Sequence, residues 1–344
     1  MLWSECKMKE KVLVLGGTGA MGVYTVPELL AKGYQVDVVS MDDWKMANKN
    51  VRYIQANGFD DDFLKGLLET EHYDAIIDYM LYNTDAFAKR VKMLLTNTKH
   101  YIFLSTYRIY SSDEVPIRET SPRLLESRAD DAEYQSHDKD EYSLYKSRQE
   151  DVLHASGFAN WTIVRPAITF SKFRYQLVTL EAQVVIQRAM EGKTILLPEQ
   201  AMDIQATMSW AGDVGKMFAR LVLNPKAYGE VFSICTAEHH TWREIAEYYK
   251  EIIGLNYRVI DTEEFLEVWA NNGWGARYQL FFDRCLNRVM DNSKILEVTG
   301  MKQSDLTPIK EALAKELANL PADHVWPHSD TNDRMDAWLA AHKD

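Results

Sequence analysis

Short apolar runs alternate with amphipathic stretches through the first half of the chain. Val12 to Leu15 is continuously apolar, a glycine-rich turn follows, apolar positions then recur at helical spacing from Val23 to Lys32, and a second strand is expected from Gln35 to Ser40. Uninterrupted apolar runs suit strands covered on both faces, and strand–helix alternation builds a parallel sheet. The pattern goes on with a helix near Phe63 to Glu69, a strand from Ala75 to Tyr79, a helix near Ala86 to Thr96 and a strand from Tyr101 to Leu104. Between Ser111 and Glu141 the sequence turns polar and acidic, with Pro116 and Pro122, which predicts a long loop over one end of the sheet. A helix is expected from about Glu141 to Ser156, with Gly157 placed to stop it, then a strand from Trp161 to Val164 followed by Arg165 and Pro166.

Beyond this point the order is less regular. A helical stretch near Leu180 to Glu191, a strand near Val231 to Ile234 and further helices are expected, and Thr241 with Glu244 has capping-box spacing. The whole reads as an α/β protein: a doubly wound parallel sheet with a smaller C-terminal α/β lobe. We place the nucleotide-binding unit at residues 8–172 with a return segment near 205–238, and the substrate lobe at 173–204 and 239–344.

The 344 residues are enough for a sizeable core, and 46 % hydrophobic with 26 % charged residues is a globular composition. A net charge of −12, with scattered Lys and Arg, repels a phosphate backbone and argues against general nucleic-acid binding. Cys6, Cys235 and Cys285 are too few and too far apart for a disulfide framework or a zinc site, and a reducing cytoplasm is expected. No run reaches the roughly 18 apolar residues of a membrane helix, and Met1 to Lys11 has no apolar leader segment, so neither secretion nor a membrane partner is expected. His72, His100, His137, His154, His239 and His240 show no metal-ligand spacing, and no metal site is assigned.

Gly16, Gly17, Thr18, Gly19, Ala20, Met21 and Gly22 follow the first strand directly and satisfy both G-x-G-x-x-G and G-x-x-G-x-x-G. In a strand–turn–helix context the pattern signals a Rossmann-type dinucleotide site, because absent Cβ atoms let backbone approach a pyrophosphate at a helix N-terminus. The second strand ends at Ser40, and Asp42 and Asp43 just beyond would repel a 2′-phosphate, which favours NAD; Lys45 keeps NADP open.

Tyr142 and Lys146 lie four apart on one face of an expected helix. Such pairs also arise on surface helices with a solvated lysine. This one follows a dinucleotide turn, and Ser105 and Thr106 stand at the C-terminal end of a strand, the edge where open α/β sheets bind ligands. A tyrosine becomes a usable acid or base near neutral pH only when a cation stabilises its phenolate.

At these residues the chain resembles the extended short-chain dehydrogenase/reductases, the NAD-dependent epimerase/dehydratase family. The likeness rests on VLVLGGTGAMG at the start, YDAIID at 73–78, YIFLSTYRIY at 101–110, YSLYK at 142–146, VRP at 164–166, GEVFSI at 229–234 and DNSK at 291–294. It implies Tyr142 as general acid/base, Lys146 as holder of the nicotinamide ribose, and Thr106, with Ser105 as its neighbouring candidate, as the hydroxyl that orients the reacting oxygen. It implies further cofactor contacts at Asn57, Gly58, Asp78, Tyr79, Arg165 and Pro166; for Asp78 and Tyr79 a buried structural role is an equal expectation. A small-molecule substrate is implied, a sugar nucleotide first, with an NAD(P)-dependent carbonyl reductase or alcohol dehydrogenase as alternative; a non-catalytic dinucleotide sensor or RNA-associated protein is the reading from another class. The resemblance also implies a homodimer. Gln205 and the sequence Thr169, Phe170, Ser171 depart from the sugar-nucleotide pattern, with Arg174, Arg277, Arg284 and Arg288 as candidate substitutes for its phosphate-binding arginine, and the aromatic residues Trp269, Trp274, Tyr278, Phe281 and Phe282 are read equally as pocket or core.

Overall fold

Alternating inward positions decide which side of each strand meets which helix. In the computed structural model, which describes residues 9–136, 141–271, 273, 275–321 and 324–343, the first half runs β1 (Lys11–Leu15), α1 (Gly22–Ala31), β2 (Gln35–Ser40), β3 (Val51–Gln55), α2 (Asp61–Thr70), β4 (Tyr73–Asp78), α3 (Thr84–Thr96) and β5 (Thr98–Leu104). Cys6, His137 and Trp274 lie outside the described residues. Short helices α4 (Leu124–Ser127) and α5 (Ala132–Ser136) precede α6 (Tyr142–His154) and β6 (Trp161–Pro166). The segment expected to be one long loop thus carries two helical turns, each too short to leave a periodic signature.

The remaining elements are β7 (Ile168–Phe170), β8 (Gln176–Leu177), β9 (Leu180–Glu181), α7 (Ala182–Met190), β10 (Thr194–Pro198), β11 (Met208–Trp210), α8 (Ala211–Leu221), β12 (Glu230–Ile234), α9 (Trp242–Ile253), β13 (Asn256–Ile260), α10 (Thr262–Ala270), α11 (Ala276–Gln279), α12 (Ser293–Thr299), α13 (Ile309–Ala318) and α14 (Asp330–Ala341). Thr241 and Glu244 form the expected capping box on α9, and Gly254 closes that helix in the left-handed region.

Seven parallel strands make the main sheet in the order β12-β6-β5-β4-β1-β2-β3. Val12, Val14, Val38, Ile77, Ile102 and Val164 face α1 and α8, where Val26, Leu29, Val214 and Phe218 complete one layer. Leu13, Leu15, Ile76, Tyr101, Phe103 and Ile163 face the opposite way onto Leu64, Phe87, Val91, Leu94 and Leu153 of α2, α3 and α6. This is a doubly wound, Rossmann-type α/β fold. Strand β3 has no counterpart among the expected elements: it lies at the sheet edge with every residue partly exposed or exposed, so no continuous apolar run marks it. A separate cluster buries Leu196, Met202, Trp242, Tyr249, Phe265 and Leu313 beyond the C-terminal ends of the strands. The sheet order reverses between β1 and β4, and the crevice at that reversal, outside the carboxyl ends of the strands, is where such folds bind ligands. No helix among the described residues is long and apolar enough to cross a membrane.

Candidate functional site

The turn after β1 has no room for side chains at its critical positions. Gly16 sits at φ +74°, and a Cβ on Gly22 would come within 2.4 Å of the Gly17 carbonyl oxygen, so the start of α1 lies directly against the turn. Gly17 and Thr18 are buried, whereas Gly19 is exposed and Ala20 and Met21 partly so, at the open crest. Met21 stands at the N-cap of α1 and makes no side-chain cap, and the helix has no acidic residue in its first turn. Free N–H groups at a helix start attract an anion. At the end of β2, Thr18 donates to the Asp42 carboxylate at 2.6 Å and lies 2.6 Å from the Ser40 hydroxyl, while the Asp42 amide donates to Ser40 at 3.1 Å. Lys45 is drawn to Asp43 at 3.4 Å. An uncapped helix start beside a fixed carboxylate fits a dinucleotide with free ribose hydroxyls.

Asn57 is exposed, its Oδ1 accepting the Phe59 amide at 3.0 Å, and Gly58 is buried where a Cβ would press on Met80 at 3.2 Å. Asp78 and Tyr79 part company. Asp78 is 1 % exposed and accepts from the Met80 amide, the Tyr101 hydroxyl and the Tyr82 hydroxyl, so its carboxylate is consumed beneath the sheet edge. Tyr79 lines the adjoining cavity, its hydroxyl 2.7 Å from that of Thr25.

That cavity, of about 400 Å³, has Met21, Tyr79, Leu104, Thr106, Tyr142, Pro166, Arg108, Arg174, Gln279 and Arg284 in its lining. Thr106 and Tyr142 therefore face one space. Ser105 does not join them: its side chain is fully buried and its hydroxyl lacks a hydrogen-bond partner. Arg165 is also elsewhere, its guanidinium gripping buried Glu150 at 3.0 and 2.6 Å and the Glu119 carbonyl at 3.0 Å. Its neighbour Pro166 keeps the cavity wall.

Lys146 is wholly buried one turn behind Tyr142, donating to the Leu104 carbonyl at 2.6 Å with its ammonium 4.6 Å from the Phe103 ring centre. Burial pushes its pKa down to about 8, against the pull of Asp78 and Glu150. Burial pushes the Tyr142 phenol above its ordinary value, while Arg108, Arg174 and the Thr106 hydroxyl draw it back.

The cation against the phenol was missed from sequence. Arg108 places its guanidinium carbon 5.3 Å from the Tyr142 ring centre. It is fixed there by Glu141, which accepts at 2.9 Å, and by Asp283, 3.1 Å from its Nε. Glu141 also caps α6, accepting the Ser143 amide at 2.6 Å, so the helix that carries Tyr142 and the arginine beside it share one carboxylate. Asp283 takes the Tyr107 hydroxyl at 2.7 Å and pairs with Arg284 and Arg288 as well. Burial favours protonation of Asp283, but Arg284, Arg108 and Arg288 outweigh it and hold the carboxyl below its usual range. Arg108 lies inside the STYRIY segment, two places after Thr106; its signal was present but nothing in the spacing gave it a partner.

The other sequence candidates separate cleanly. Arg174 and Arg284 line the cavity, Arg288 is buried behind it, and Arg277 stands on the surface with Glu133 and Glu263. Gln205 is not part of the cavity lining and donates to the Glu238 carbonyl at 3.3 Å. Tyr278 and Phe282 pack with Leu124, Tyr134 and Leu144, and Trp269 stacks on Phe265; of the expected aromatic cluster these are core. Among the described residues the grouping with metal-ligand proximity is exposed His328, Asp330 and Asp333, distant from this chemistry in burial and in chain position.

A family model described as NAD dependent epimerase/dehydratase family matches residues 12–235. The chloroplast stem-loop binding protein of 41 kDa b of Arabidopsis thaliana is 22 % identical over 260 residues, 72 % of this chain and 64 % of that protein. A UDP-glucose 4-epimerase of Lacticaseibacillus casei is 26 % identical over 187 residues, 48 % of this chain and 50 % of that enzyme. The chain thus spans less than two thirds of either relative. The structure of the enzyme WbmH of Bordetella bronchiseptica in complex with NAD+ is similar in fold, with a TM-score of 0.64 at 16 % identity, covering 90 % of this chain and 97 % of that one.

Proposed function

This chain belongs to the NAD-dependent epimerase/dehydratase family, and from that premise we propose that it interconverts a secondary alcohol and a ketone within an epimerisation or dehydration, with Tyr142 moving the proton. The observation that carries the reading is the sharing of one cavity by Thr106 and Tyr142 at the mouth of the glycine turn. NAD, when bound, supplies the hydride acceptor. Gly16, Gly17, Thr18, Gly19, Ala20, Met21 and Gly22 would hold its pyrophosphate, with Ser40 and Asp42 at the adenosine ribose and Tyr79 and Pro166 near the nicotinamide end.

In this mechanism Thr106 donates to the reacting oxygen and fixes its direction, which makes the proton transfer effectively intramolecular. Tyr142 Oη removes the hydroxyl proton and later returns it. A phenol raised by burial is scarcely ionised near neutral pH, and the Arg108 guanidinium at its ring offsets part of that penalty. Lys146, buried one turn behind with its ammonium on the Leu104 carbonyl, would hold the nicotinamide ribose, as the family resemblance implies, through N–H groups not used on that carbonyl.

We propose a sugar nucleotide as the first substrate class to test, with a carbonyl reductase acting on a simpler ketone as the alternative. Incubation of purified protein with nucleotide sugars and simple ketones, NAD and NADP compared, tests both. Turnover with catalytic or co-purified NAD supports the epimerase/dehydratase reading, and stoichiometric cofactor consumption would replace it by the reductase. The name of the chloroplast relative favours RNA association as a second reading, against which stands the formal charge of −12. A homodimer is proposed from family membership, to be checked by sedimentation.

A further inference from the structure

We propose that the substrate carries an anionic group, a carboxylate or a phosphate, close to the carbon that reacts, and that Arg174 receives it together with Arg108 and Arg284. The inference rests on the reading of Tyr142 as acid/base and names what the same cavity selects.

The chain carries a formal charge of −12, yet the charged residues lining the cavity are three arginines and no acid. Their counter-charges are insufficient. Arg108, Arg284 and buried Arg288 share the Asp283 carboxylate, and Glu141 serves Arg108. With Arg174 and its neighbour Glu181 this makes four guanidiniums to three carboxylates. The nearest acid to Arg174 is Glu181 at 3.8 Å, and the same Glu181 oxygen accepts from Gln176. Arg174 makes no side-chain hydrogen bond among the described residues and is 42 % exposed, free to turn towards a ligand. Arg284 spends Nε on the Val178 carbonyl and Nη1 on the Tyr107 hydroxyl and Asp283, leaving Nη2 for another acceptor.

Uncompensated positive charge in an enclosed site is costly, and a bound carboxylate or phosphate removes the cost through charge-assisted, bidentate contacts. Position narrows the chemistry further. Arg108 lies against the ring of Tyr142 and two residues from Thr106, so the anion it attracts sits beside the reacting centre. A diphosphate at the far end of a long substrate would not need a guanidinium there. Thr169 and Gln279, also in the lining, offer neutral hydrogen bonds for the rest of the molecule.

The test uses NAD-saturated full-length protein, so that the glycine turn does not compete for the probe. Malonate and inorganic phosphate are titrated calorimetrically against a chloride control, in wild type, Arg174→Gln and Tyr142→Phe. Wild type is expected to bind at least one of the two anions, the tighter of them identifying carboxylate or phosphate. Arg174→Gln, at a half-exposed position that leaves the buried network whole, is expected to weaken that binding about tenfold or more, as loss of a charge-assisted contact does. Tyr142→Phe is expected to bind as wild type does. If neither anion binds better than chloride, or if Arg174→Gln binds equally well, the inference is overturned. Anion binding intact with full turnover in Tyr142→Phe would instead remove the acid/base reading and leave the anion site standing.

Discussion

Replacing Gly22 by alanine adds one carbon where the turn has no space. The new Cβ would lie 2.4 Å from the Gly17 carbonyl oxygen and 2.5 Å from the Gly17 carbonyl carbon and Cα, about 1 Å short of ordinary contact, and all three are backbone atoms that no rotamer change can move. Overpacking of this kind costs about 1–3 kcal/mol. The strain falls on the turn whose N–H groups are proposed to hold the pyrophosphate. Losing even one hydrogen bond to a charged phosphate costs roughly 1.5–3 kcal/mol, which lowers NAD affinity about tenfold to 150-fold. Gly66, inside α2 with nothing within 4 Å of its built Cβ, is the matched control. Gly66→Ala should leave NAD binding untouched and raise stability by about 0.5–1 kcal/mol, the helical preference of alanine over glycine. Calorimetric titration with NAD and thermal melts of the three proteins decide it. Gly22→Ala with wild-type affinity and melting temperature would show that α1 does not press on the turn as described.

Tyr142→Phe should abolish turnover with NAD affinity near wild type, since only a transferable proton is lost; retention of full activity would refute the proton role. Arg108→Gln should move the acidic limb of kcat/KM, measured in the oxidative direction, upwards by about one pH unit. A bare charge 5.3 Å from a phenolate delocalised over the ring would give at most about 3 kcal/mol at an effective dielectric near 20, and Glu141 and Asp283 cancel part of it; an unshifted limb in a folded variant would count against the tuning. His100 is fully buried, its Nδ1 accepting the Leu223 amide at 2.9 Å and its Nε2 2.7 Å from the Thr162 hydroxyl, and burial holds its pKa down to about 3. Because the unfolded imidazole titrates near 6.5, its contribution is complete above that pH and is lost as pH falls towards 3. Urea unfolding should show a loss of about 2 kcal/mol between pH 7 and 5, smaller in His100→Asn; equal losses would contradict the assignment. An RNA stem-loop should bind only weakly at physiological salt, and tight binding in a filter assay would revive the RNA reading.

The sheet was legible because strands buried on both faces cannot hide: β1, β2, β4, β5 and β6 are each dominated by apolar residues, with glycine or polar breaks between them. The edge strand β3 shows one face to water, and its mixture of Arg52, Tyr53, Ile54 and Gln55 leaves no run to read. The glycine turn and the spacing of Tyr142 from Lys146 are local properties of the chain and could be read directly. The preference for Thr106 over Ser105 could be read from its register, whereas the turn of Arg165 to Glu150 depends on a partner 15 residues away. Arg108 needed most: its position is set by Glu141 and by Asp283, and only folding brings these together.

Asp283 ties three arginines and Tyr107, 176 positions away in the chain, into one buried cluster that ends on Tyr142, the proposed acid/base. On that proposal, substrate preference and proton chemistry are mechanically linked. A library that varies Arg284 or Arg288 in search of new substrates would also release Arg108 from its anchor and detune the phenol, so variants would trade selectivity for rate. Engineering that leaves Asp283 and its partners intact and explores Arg174, Thr169 and Gln279 offers the separable route.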